Sequence, residues 1–199
     1  MAIDPADLLA LMRARRSHKM PFLKPDPVDA SLVEQVLEAA RWAPSHGKTE
    51  PWHFTVYSGE GRRGLGDAFA EAYRIQAEAK GTYTQEAFET SRDKVWKVPV
   101  WIALTLKPGV KPDGSFVMPE WEELLAFGGA VQNLHLAATA LGLSGQWSTG
   151  AQAVLPHVAE FVGVPAPSRP LGFFLLGYPG NVPPDVGRRP LSDKVTWRS

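Results

Sequence analysis

Arg15, Arg16 and Ser17 are the first residues of the chain whose types and spacing suit ligand chemistry. Guanidinium groups form bidentate hydrogen bonds with a phosphate, and a serine hydroxyl adds one more. The segment follows a predicted first helix, which Asp4 can cap and Pro5 can begin. Arginines at the end of a helix also complement its dipole, so phosphate binding and helix capping stay open as alternatives on these residues alone.

A second polar group lies in the loop 43–54, between a predicted helix and a predicted strand. Asp29 can cap that helix, which we expect to run to about Trp42. Pro44 stops it, because proline lacks an N–H and clashes with the preceding turn. The polar side chains that the loop presents are Ser45, His46, Lys48 and Thr49. The loop is interpreted either as a plain connection or as a binding loop on a rigid base.

The stretch from Gly59 to Gly64 matches the G-x-G-x-x-G pattern of dinucleotide sites. Such a site also needs a second strand and an acidic residue about 20 positions further on. The chain has Gly81 to Glu86 there, which opens another predicted helix, so the pattern is interpreted as a turn and a helix start. Residues 61–97 are then predicted to form a charged helical pair with few large apolar side chains, a mobile cover outside the core.

Composition excludes several classes of function. The chain has 199 residues, which suits a single domain, and its formal net charge of +0 gives no electrostatic footprint for nucleic acid. It contains 0 cysteines, which rules out disulfides and thiol catalysis and fits a reducing compartment. The beginning of the chain lacks the pattern of a signal peptide, and no apolar run reaches membrane-spanning length. We therefore expect a cytoplasmic protein without nucleic-acid or membrane partners.

The remaining elements follow from hydrophobic patterning. Strands are predicted at 52–58, and, as nearly continuous apolar runs, at 98–106 and 171–178. A helix over 119–143 is apolar or small almost all round from Leu124 onward, which predicts burial on every side. A short extended piece follows at 145–150, and a polar, proline-rich tail begins near Gly180. Late in that tail, Val195 and Trp197 need a surface to pack on, for which a neighbouring subunit is one answer.

Four segments, taken in order, resemble the nitroreductase family of FMN-dependent oxidoreductases. They are Arg15-Arg16-Ser17; Ala43-Pro44-Ser45 with Pro51-Trp52-His53-Phe54; Ala130-x-x-Asn133-x-x-Leu136-Ala137-Ala138-x-x-Leu141-Gly142 with Trp147; and Gly177-Tyr178-Pro179 with Arg188-Arg189-Pro190. They cover nearly the whole chain. The short chain and the histidine of the A-P-x-H loop are most similar to the small bacterial branch of NAD(P)H nitroreductases.

The resemblance implies an α+β fold, a three-layer sandwich whose central sheet is mixed but mostly antiparallel and is flanked by helices on both faces. It implies one domain over 1–199 and an intertwined homodimer with two FMN sites at the subunit interface. In that arrangement, residues 180–199 form a C-terminal arm that reaches the partner subunit. Residues 61–97 would be a helical excursion or cover on the same domain.

The resemblance also assigns roles to residues by position. The FMN phosphate and the ribityl or ring oxygens would be held by Arg15, Arg16 and Ser17, with Arg189 adding to the phosphate site. Trp42, Ser45 and His46 would lie against the flavin from the loop of the other subunit, and Trp147, Ser148 and Thr149 would approach the ring on the first subunit's side. Lys48 and Glu50 depart from the family pattern. Lys48 is expected either to hydrogen-bond the flavin or to pair with Glu50.

The function implied is two-electron reduction of a nitroaromatic, quinone or similar planar acceptor by NAD(P)H through FMN. The flavin carries this chemistry, so no catalytic nucleophile or metal site is required, and the sequence has no H-E-x-x-H or G-x-S-x-G motif. Two alternatives stay open. One is other flavin chemistry on the same fold, such as reductive dehalogenation or flavin fragmentation, and the other is a flavin-binding module without enzymatic activity.

Overall fold

The fold was obtained as a computed structural model, which describes residues 3–150, 155–163, 165–181 and 187–198. The helices are α1 (Pro5–Ala14), α2 (Ala30–Arg41), α3 (Arg62–Ala79), α4 (Gln85–Asp93), α5 (Glu120–Ala140) and α6 (Pro156–Val162). The strands are β1 (Trp52–Ser58), β2 (Val100–Leu106), β3 (Ser144–Ser148) and β4 (Arg169–Gly177). These bounds confirm the predicted helices and strands to within a few residues, because proline and capping residues mark most of their ends.

The four strands form one sheet in the order β1-β2-β4-β3, and each neighbouring pair is antiparallel. The mixed character expected for this sheet is limited, within the described ranges, to one parallel bridge between Ser17 and Gly145. The antiparallel order also argues against a dinucleotide site at 59–64, which would need a parallel strand beside β1. Gly59–Gly61 form a short 3₁₀ turn before α3, and no parallel strand pairs with β1 in the part of the chain described.

One face of the sheet packs on α2 and α5. Alternate residues of the central strand β2, from Val100 to Leu106, face these helices, and all seven residues of β2 are buried. Val36 of α2 and Phe127 and Leu134 of α5 complete this core, each with no exposed surface. A strand covered on both faces needs apolar residues at every position, which explains the unbroken apolar run in the sequence.

The other face packs on α3 and α6, and here one prediction was wrong. Leu65 and Phe69 of α3 are buried in a second core with Trp101 of β2, so α3 is part of the core rather than a cover. The sequence gives little sign of this burial, because many of the buried residues of α3 are alanines, which have small side chains. They let the helix pack closely against the sheet. A Cβ added at Gly66 would lie 2.5 Å from the carbonyl oxygen of Arg92, which shows how tightly α4 packs on α3.

The predicted burial of α5 on every side was also wrong for the single chain. Leu125, which lies in the stretch predicted to be buried, is 68% exposed, and Trp121, one turn before it, is 62% exposed. The helix α1 has no buried residue at all. Exposed apolar side chains lie on α1, on α5 and in the tail, and they are Leu8, Leu9, Met12, Trp121, Leu125, Leu191 and Trp197. Among the described residues no helix has both the length and the apolar character needed to cross a bilayer.

Candidate functional site

The arginine segment is fastened to the end of the sheet. α1 ends at Ala14, and Arg15 follows as its C-cap, with its N–H donating to the carbonyl of Leu11. Ser17 then forms the parallel bridge to Gly145 of β3, and the N–H of His18 donates to the Gly145 carbonyl at 3.1 Å. These backbone bonds hold the segment in register with the edge strand of the sheet.

The side chains of His18 and Ser144 stabilise the same junction between the arginine segment and β3. Their side chains are both buried, and Ser144 Oγ lies 2.5 Å from His18 Nδ1. The Ser144 hydroxyl is also 3.3 Å from the carbonyl oxygen of Arg16. Burial lowers the pKa of His18, so this imidazole is neutral near pH 7. The junction between the arginine segment and β3 is therefore a packed, polar contact rather than a free turn.

Three arginines come together at this end of the sheet. Burial lowers the pKa of Arg15, and the charges of Arg188 and Arg16 lower it further. Arg15 Nη1 donates to Ser17 Oγ at 3.4 Å. Arg188 is a member of this group that the sequence did not indicate, because its motif assigned the role to the neighbouring Arg189. Which of two adjacent arginines comes close to Arg15 depends on tertiary structure, which sequence spacing does not encode.

His135 is a further polar residue near Arg15, and none of the sequence motifs assigned it a role. It lies on α5 and is 8% exposed, with its ring 4.7 Å from the ring of Phe174 in an edge-to-face arrangement. Burial and, to a smaller extent, the charge of Arg15 lower its pKa to about 4. A neutral imidazole therefore lies beside the arginine group. Its neighbour Asn133 donates to the Ala39 carbonyl at 3.0 Å, as expected of a satisfied core residue.

Trp147 and Ser148 lie on β3, the strand that Ser17 joins. The indole N–H of Trp147 donates to the Leu171 carbonyl at 2.8 Å, so this side chain has only its ring surface left to offer a ligand. Ser148 is half-buried and Thr149 is exposed at the end of the strand. Trp147 and Ser148 therefore lie on the strand beside the arginine segment, with their side chains on opposite faces of the sheet because they are adjacent along β3.

The loop 45–50 has an unusual backbone. Gly47, Lys48 and Glu50 all have positive φ angles, of 64°, 53° and 44°. The left-handed region is easy for glycine but unfavourable for lysine and glutamate, which carry a Cβ. No Lys48–Glu50 ion pair forms among the described residues, so that expected pairing is absent here. Strained backbone of this kind persists only where the surrounding structure holds it.

Glu123 is the residue that holds this loop. Its carboxylate is 1% exposed and accepts a hydrogen bond from Thr49 Oγ1 at 2.6 Å and one from the Gly109 N–H at 3.2 Å. The first turn of α5 therefore ties the loop 45–50 to the loop that follows β2. Sequence reasoning missed Glu123, although a carboxylate at the start of an otherwise apolar helix was a signal that could have found it.

His46 contacts the neighbouring glutamate. Its Nδ1 lies 2.5 Å from Glu122 Oε2 and forms an ion pair when the imidazole is protonated. The pair borders a cavity of about 540 Å³, which is lined by Pro44, Ser45, His46, Trp121, Glu122, Leu125 and Ala126. An imidazole–carboxylate pair beside apolar side chains suits binding and protonation of an aromatic ligand.

Trp42 and Lys48 border a second hollow on the same loop. It measures about 410 Å³ and is lined by Arg41, Trp42, Ala43, Ser45, Lys48 and Glu50. Trp42 is 75% exposed, and its indole N–H donates to Glu38 at 2.9 Å. A tryptophan whose polar atom is satisfied and whose ring faces solvent offers a stacking surface.

Within one chain, the His46 loop and the arginine group lie at different places along α5. His46 contacts Glu122 at the start of this helix, whereas Arg15 lies beside His135, near its other end. Glu122 and His135 are thirteen positions apart, which is about 20 Å along a helix that rises about 1.5 Å per residue. A single chain therefore holds the arginine group and the His46 loop apart, and they are the two half-sites of the site proposed below.

Comparison with known proteins decides the family. Residues 12–178 match the nitroreductase family. An Escherichia coli K12 protein named "Putative NAD(P)H nitroreductase YdjA" is 32% identical over 173 residues, which cover 87% of this chain and 88% of that protein. The chain belongs to the nitroreductase family. This membership makes it an oxidoreductase and confirms the resemblance drawn from the four sequence segments.

Solved structures agree on the architecture of this nitroreductase. A nitroreductase-like family protein from Bacillus cereus aligns with a TM-score of 0.79 at 24% identity, covering 100% of this chain and 99% of that one. A nitroreductase with bound FMN from Bacteroides fragilis aligns with a TM-score of 0.68 at 21% identity, covering 97% and 99%. The predicted α+β fold, with helices on both faces of the sheet, is confirmed.

Proposed function

We propose that this nitroreductase is an FMN-dependent enzyme that uses NAD(P)H to reduce nitroaromatic, quinone or similar planar acceptors by two electrons. We further propose that it works as a homodimer with two FMN sites at the subunit interface. The observation that carries the proposal is the group formed by Arg15, Arg16 and Arg188 beside β3. Family membership and the name of the Escherichia coli relative support the choice of NAD(P)H as reductant.

The arginine group fits an FMN phosphate. Burial and, after it, the charges of Arg188 and Arg16 lower the pKa of Arg15, and a bound anion relieves the repulsion among these charges. A phosphate carries about −1.5 to −2 charge near neutral pH. Ser17, whose hydroxyl is 3.4 Å from Arg15 Nη1, adds a hydrogen bond donor at the same place. Arg189 lies next to Arg188, and we keep it as a second candidate from the tail.

The flavin ring would lie between the two half-sites. Trp147 and Ser148 of one subunit supply the wall on the arginine side, with Thr149 at its edge. The loop of the second subunit supplies the opposite wall, with Trp42, Ser45 and His46 as its contacting side chains. Lys48, held in a left-handed conformation, is directed by the loop backbone rather than by an ion pair, which suits contact with a polar edge of the ring.

The homodimer accounts for the apolar surface of the single chain. A helix such as α1, with no buried residue, gains little stability from its own chain, because most helical stability comes from packing. Leu125 of α5 and Trp197 of the tail, which is 90% exposed, leave further apolar surface uncovered. Exposed apolar patches of this kind mark interfaces. We therefore propose that residues 180–199 reach across to the partner subunit.

Bound FMN would supply hydride transfer at its N5 atom, and the chain supplies binding, orientation and protons. Reduction of a nitro group to a nitroso group consumes two electrons and two protons and releases one water. His46 is placed to donate a proton to the acceptor, because it borders the larger cavity and its ring is held in position by the contact with Glu122. Trp121 and Leu125 line the same cavity and offer apolar contacts to an aromatic acceptor.

The decisive experiment is isolation of the protein and identification of its flavin. We expect a yellow protein that releases about one FMN per chain on denaturation, in keeping with one phosphate site per arginine group. NAD(P)H should bleach the bound flavin, and a nitroaromatic or quinone should restore its colour. A colourless protein that takes up no added FMN would contradict the proposal. A flavin that no pyridine nucleotide bleaches would favour a binding module.

The role of His46 has its own test. We expect His46→Gln to slow reoxidation of the reduced flavin by a nitroaromatic about a hundredfold, the lower end of the range for general acid catalysis, while leaving reduction by NAD(P)H nearly unchanged. His157→Gln, on α6 in the opposite layer, is the matched control. Equal slowing of both half-reactions in H46Q would show a structural role instead.

With no cysteine in the chain, we place this activity in the cytoplasm.

A further inference from the structure

A cavity in the other layer of the molecule belongs to neither half-site. It measures about 230 Å³ and lies between the ends of β1 and β2 on one side and the end of α6 with the loop before β4 on the other. Its lining includes His53, Thr105, Lys107 and Ser168. Strand alternation places it on the α3/α6 face of the sheet, because Leu104 and Leu106 of β2 face α5 while Thr105 points the opposite way.

Three of these side chains converge because of the strand register. His53 pairs with Thr105 across the β1–β2 ladder, so their Cβ atoms are neighbours on one face. The ladder continues one step further, since the Lys107 N–H donates to the Pro51 carbonyl at 2.9 Å. Lys107 is therefore two positions from Thr105 on the same face and diagonal to His53. Thr105 therefore has His53 across from it and Lys107 two positions along on the same face, and all three line the cavity.

Thr105 has a buried hydroxyl that makes no hydrogen bond. The residue is 3% exposed, and its Oγ1 lacks a partner within the described structure. Buried polar atoms are nearly always satisfied, so an orphaned one calls for a water or a ligand. The register of β2 against β4 also shifts between Leu104 and Thr105, where the facing residue, Pro170, has no N–H to donate. Irregularities of this kind often re-aim a side chain next to a binding site.

The cavity offers hydrogen bond donors and no acidic side chain among its described lining residues. The Lys107 ammonium has three donors and no acceptor, and the hydroxyls of Thr105 and Ser168 can donate as well. The side chains of His53 and Lys107 make no hydrogen bond or ion pair with any described residue. Donors without a nearby negative charge bind anions whose atoms only accept hydrogen bonds, such as carboxylates and phosphates. They do not favour cations.

We infer that this cavity is a binding site for a small oxyanion, a phosphate or a carboxylate, separate from the proposed flavin site. Its volume corresponds to about eight water molecules at about 30 Å³ each, which suits an ion or a short acid rather than a nucleotide. Thr105 and Ser168 hydrogen-bond the anion, Lys107 neutralises its charge, and His53 closes the outer side. The half-buried side chain of Val162 forms an apolar wall that limits the size of the ligand.

The test is titration of the flavin-loaded protein with inorganic phosphate and, separately, acetate, at constant ionic strength with chloride as the balancing salt. The probe is the NMR signal of ring-labelled histidine, with the His53 signal assigned by its absence in His53→Gln. We expect a saturable shift of the His53 signal with one or both anions, and the anion that binds more tightly identifies the ligand class. A shift that does not saturate with either anion means that the hollow holds only water, and it would overturn the inference.

Two variants with one matched control separate this site from general surface charge. Lys107→Met should weaken anion binding by about tenfold or more, whereas Lys111→Met, in the same exposed loop, should leave it unchanged. Thr105→Val should weaken binding without lowering Tm, because it removes a buried hydroxyl that has no partner. Equal weakening in K107M and K111M, or unchanged binding in both K107M and T105V, would contradict the site.

The flavin proposal and this one fail separately. Arg15→Ala removes a cation from the proposed FMN phosphate site, and the His53 response to phosphate should be the same in this variant as in the unmodified protein. If the protein takes up no FMN, the same titration of R15A still reports on the cavity. The arginine group, where phosphate could otherwise bind, then has one arginine fewer. Loss of the His53 response in R15A would assign the phosphate to the arginine group instead.

Discussion

The arginine segment 15–17 and the loop 45–50 differ in what holds them in place. Backbone bonds fasten the arginine segment to β3, through the Ser17–Gly145 bridge and the His18 N–H. The loop has three residues in the left-handed region and is held by the side chain of Glu123. Backbone bonds to a sheet make the arginine segment rigid, which suits the proposed phosphate site, whereas the strained backbone of the loop depends on side-chain contacts from α5.

The two regions also differ in what one chain can complete. The arginine group is assembled by a single chain, with Arg188 of the tail lying beside Arg15. The loop faces outward next to Trp121 and Leu125, whose apolar surface the single chain leaves uncovered. The following predictions, from the largest expected effect to the smallest, test whether the second subunit joins these regions and whether each is held as the structure indicates.

The largest effect is expected from Leu125→Glu. A charge in the proposed interface should dissociate the homodimer and release FMN, because the loop and the arginine group then no longer meet. Light scattering after size-exclusion chromatography and the flavin absorbance of the same fractions measure both effects. Ile75→Glu, at an exposed apolar position on α3, is the control and should stay dimeric and yellow. A yellow, dimeric L125E protein would break the proposed link between the two regions.

Next is an acid sensitivity that we assign to His135. Its pKa in the folded protein is about 4, below its ordinary value of 6.5, so the unfolded chain binds more protons. The stabilisation is therefore present above about pH 6.5 and is lost as the pH falls towards about 4, by up to about 3 kcal/mol. Urea denaturation at a series of pH values should show a flatter profile for His135→Gln. Identical slopes for the two proteins would remove His135 as the cause.

Arg15→Ala should weaken FMN binding by about 2 kcal/mol, or roughly thirtyfold, since hydrogen bonds to charged groups contribute about 1.5–3 kcal/mol. Fluorescence titration of the apoprotein with FMN measures the change in affinity. Arg13→Ala removes an exposed arginine in the last turn of the same helix and should have little effect. Equal losses in R13A and R15A would mean that overall charge, and not the fastened segment, binds the phosphate.

Glu123→Gln should lower the free energy of unfolding by about 1–2 kcal/mol, because the amide keeps one acceptor oxygen and turns an NH₂ group towards a donor. Limited proteolysis should then cut the loop 45–50 and the loop after β2 faster, which would sharpen the contrast with the arginine segment. Glu122→Gln, at the half-buried neighbouring position, should affect unfolding less. A resistant loop in E123Q would show that the carboxylate does not hold it.

The smallest effect is expected from Lys48→Gly. Glycine adopts a φ of 53° without the Cβ penalty, so the variant should gain up to about 1 kcal/mol of stability. Lys80→Gly, at a residue with a φ of −99°, should gain nothing. Differential scanning calorimetry of the two variants compares them directly. A destabilised K48G protein would mean that contacts of the lysine side chain outweigh the backbone strain.

Local patterns predicted the elements and the family well. Asp4, Asp29 and Pro44 set helix ends through capping and a missing N–H, and the apolar runs became β2 and β4. Burial was predicted less well. The alanine-rich α3 lies in the core, although its sequence is charged, and Leu125 is exposed on a helix that looks buried. Small residues carry little hydrophobic signal but allow close packing, and an apolar surface looks the same whether its own chain or another covers it.

The sequence by itself determined the order of the elements, the arginine segment, the loop and membership of the nitroreductase family, because these depend on local patterns and motif order. Tertiary structure alone decided that Arg188 and His135 join Arg15, that Glu123 holds the loop, and that Thr105 lies buried without a partner. These depend on contacts between residues far apart in the chain, which form only when the sheet register and helix packing are set.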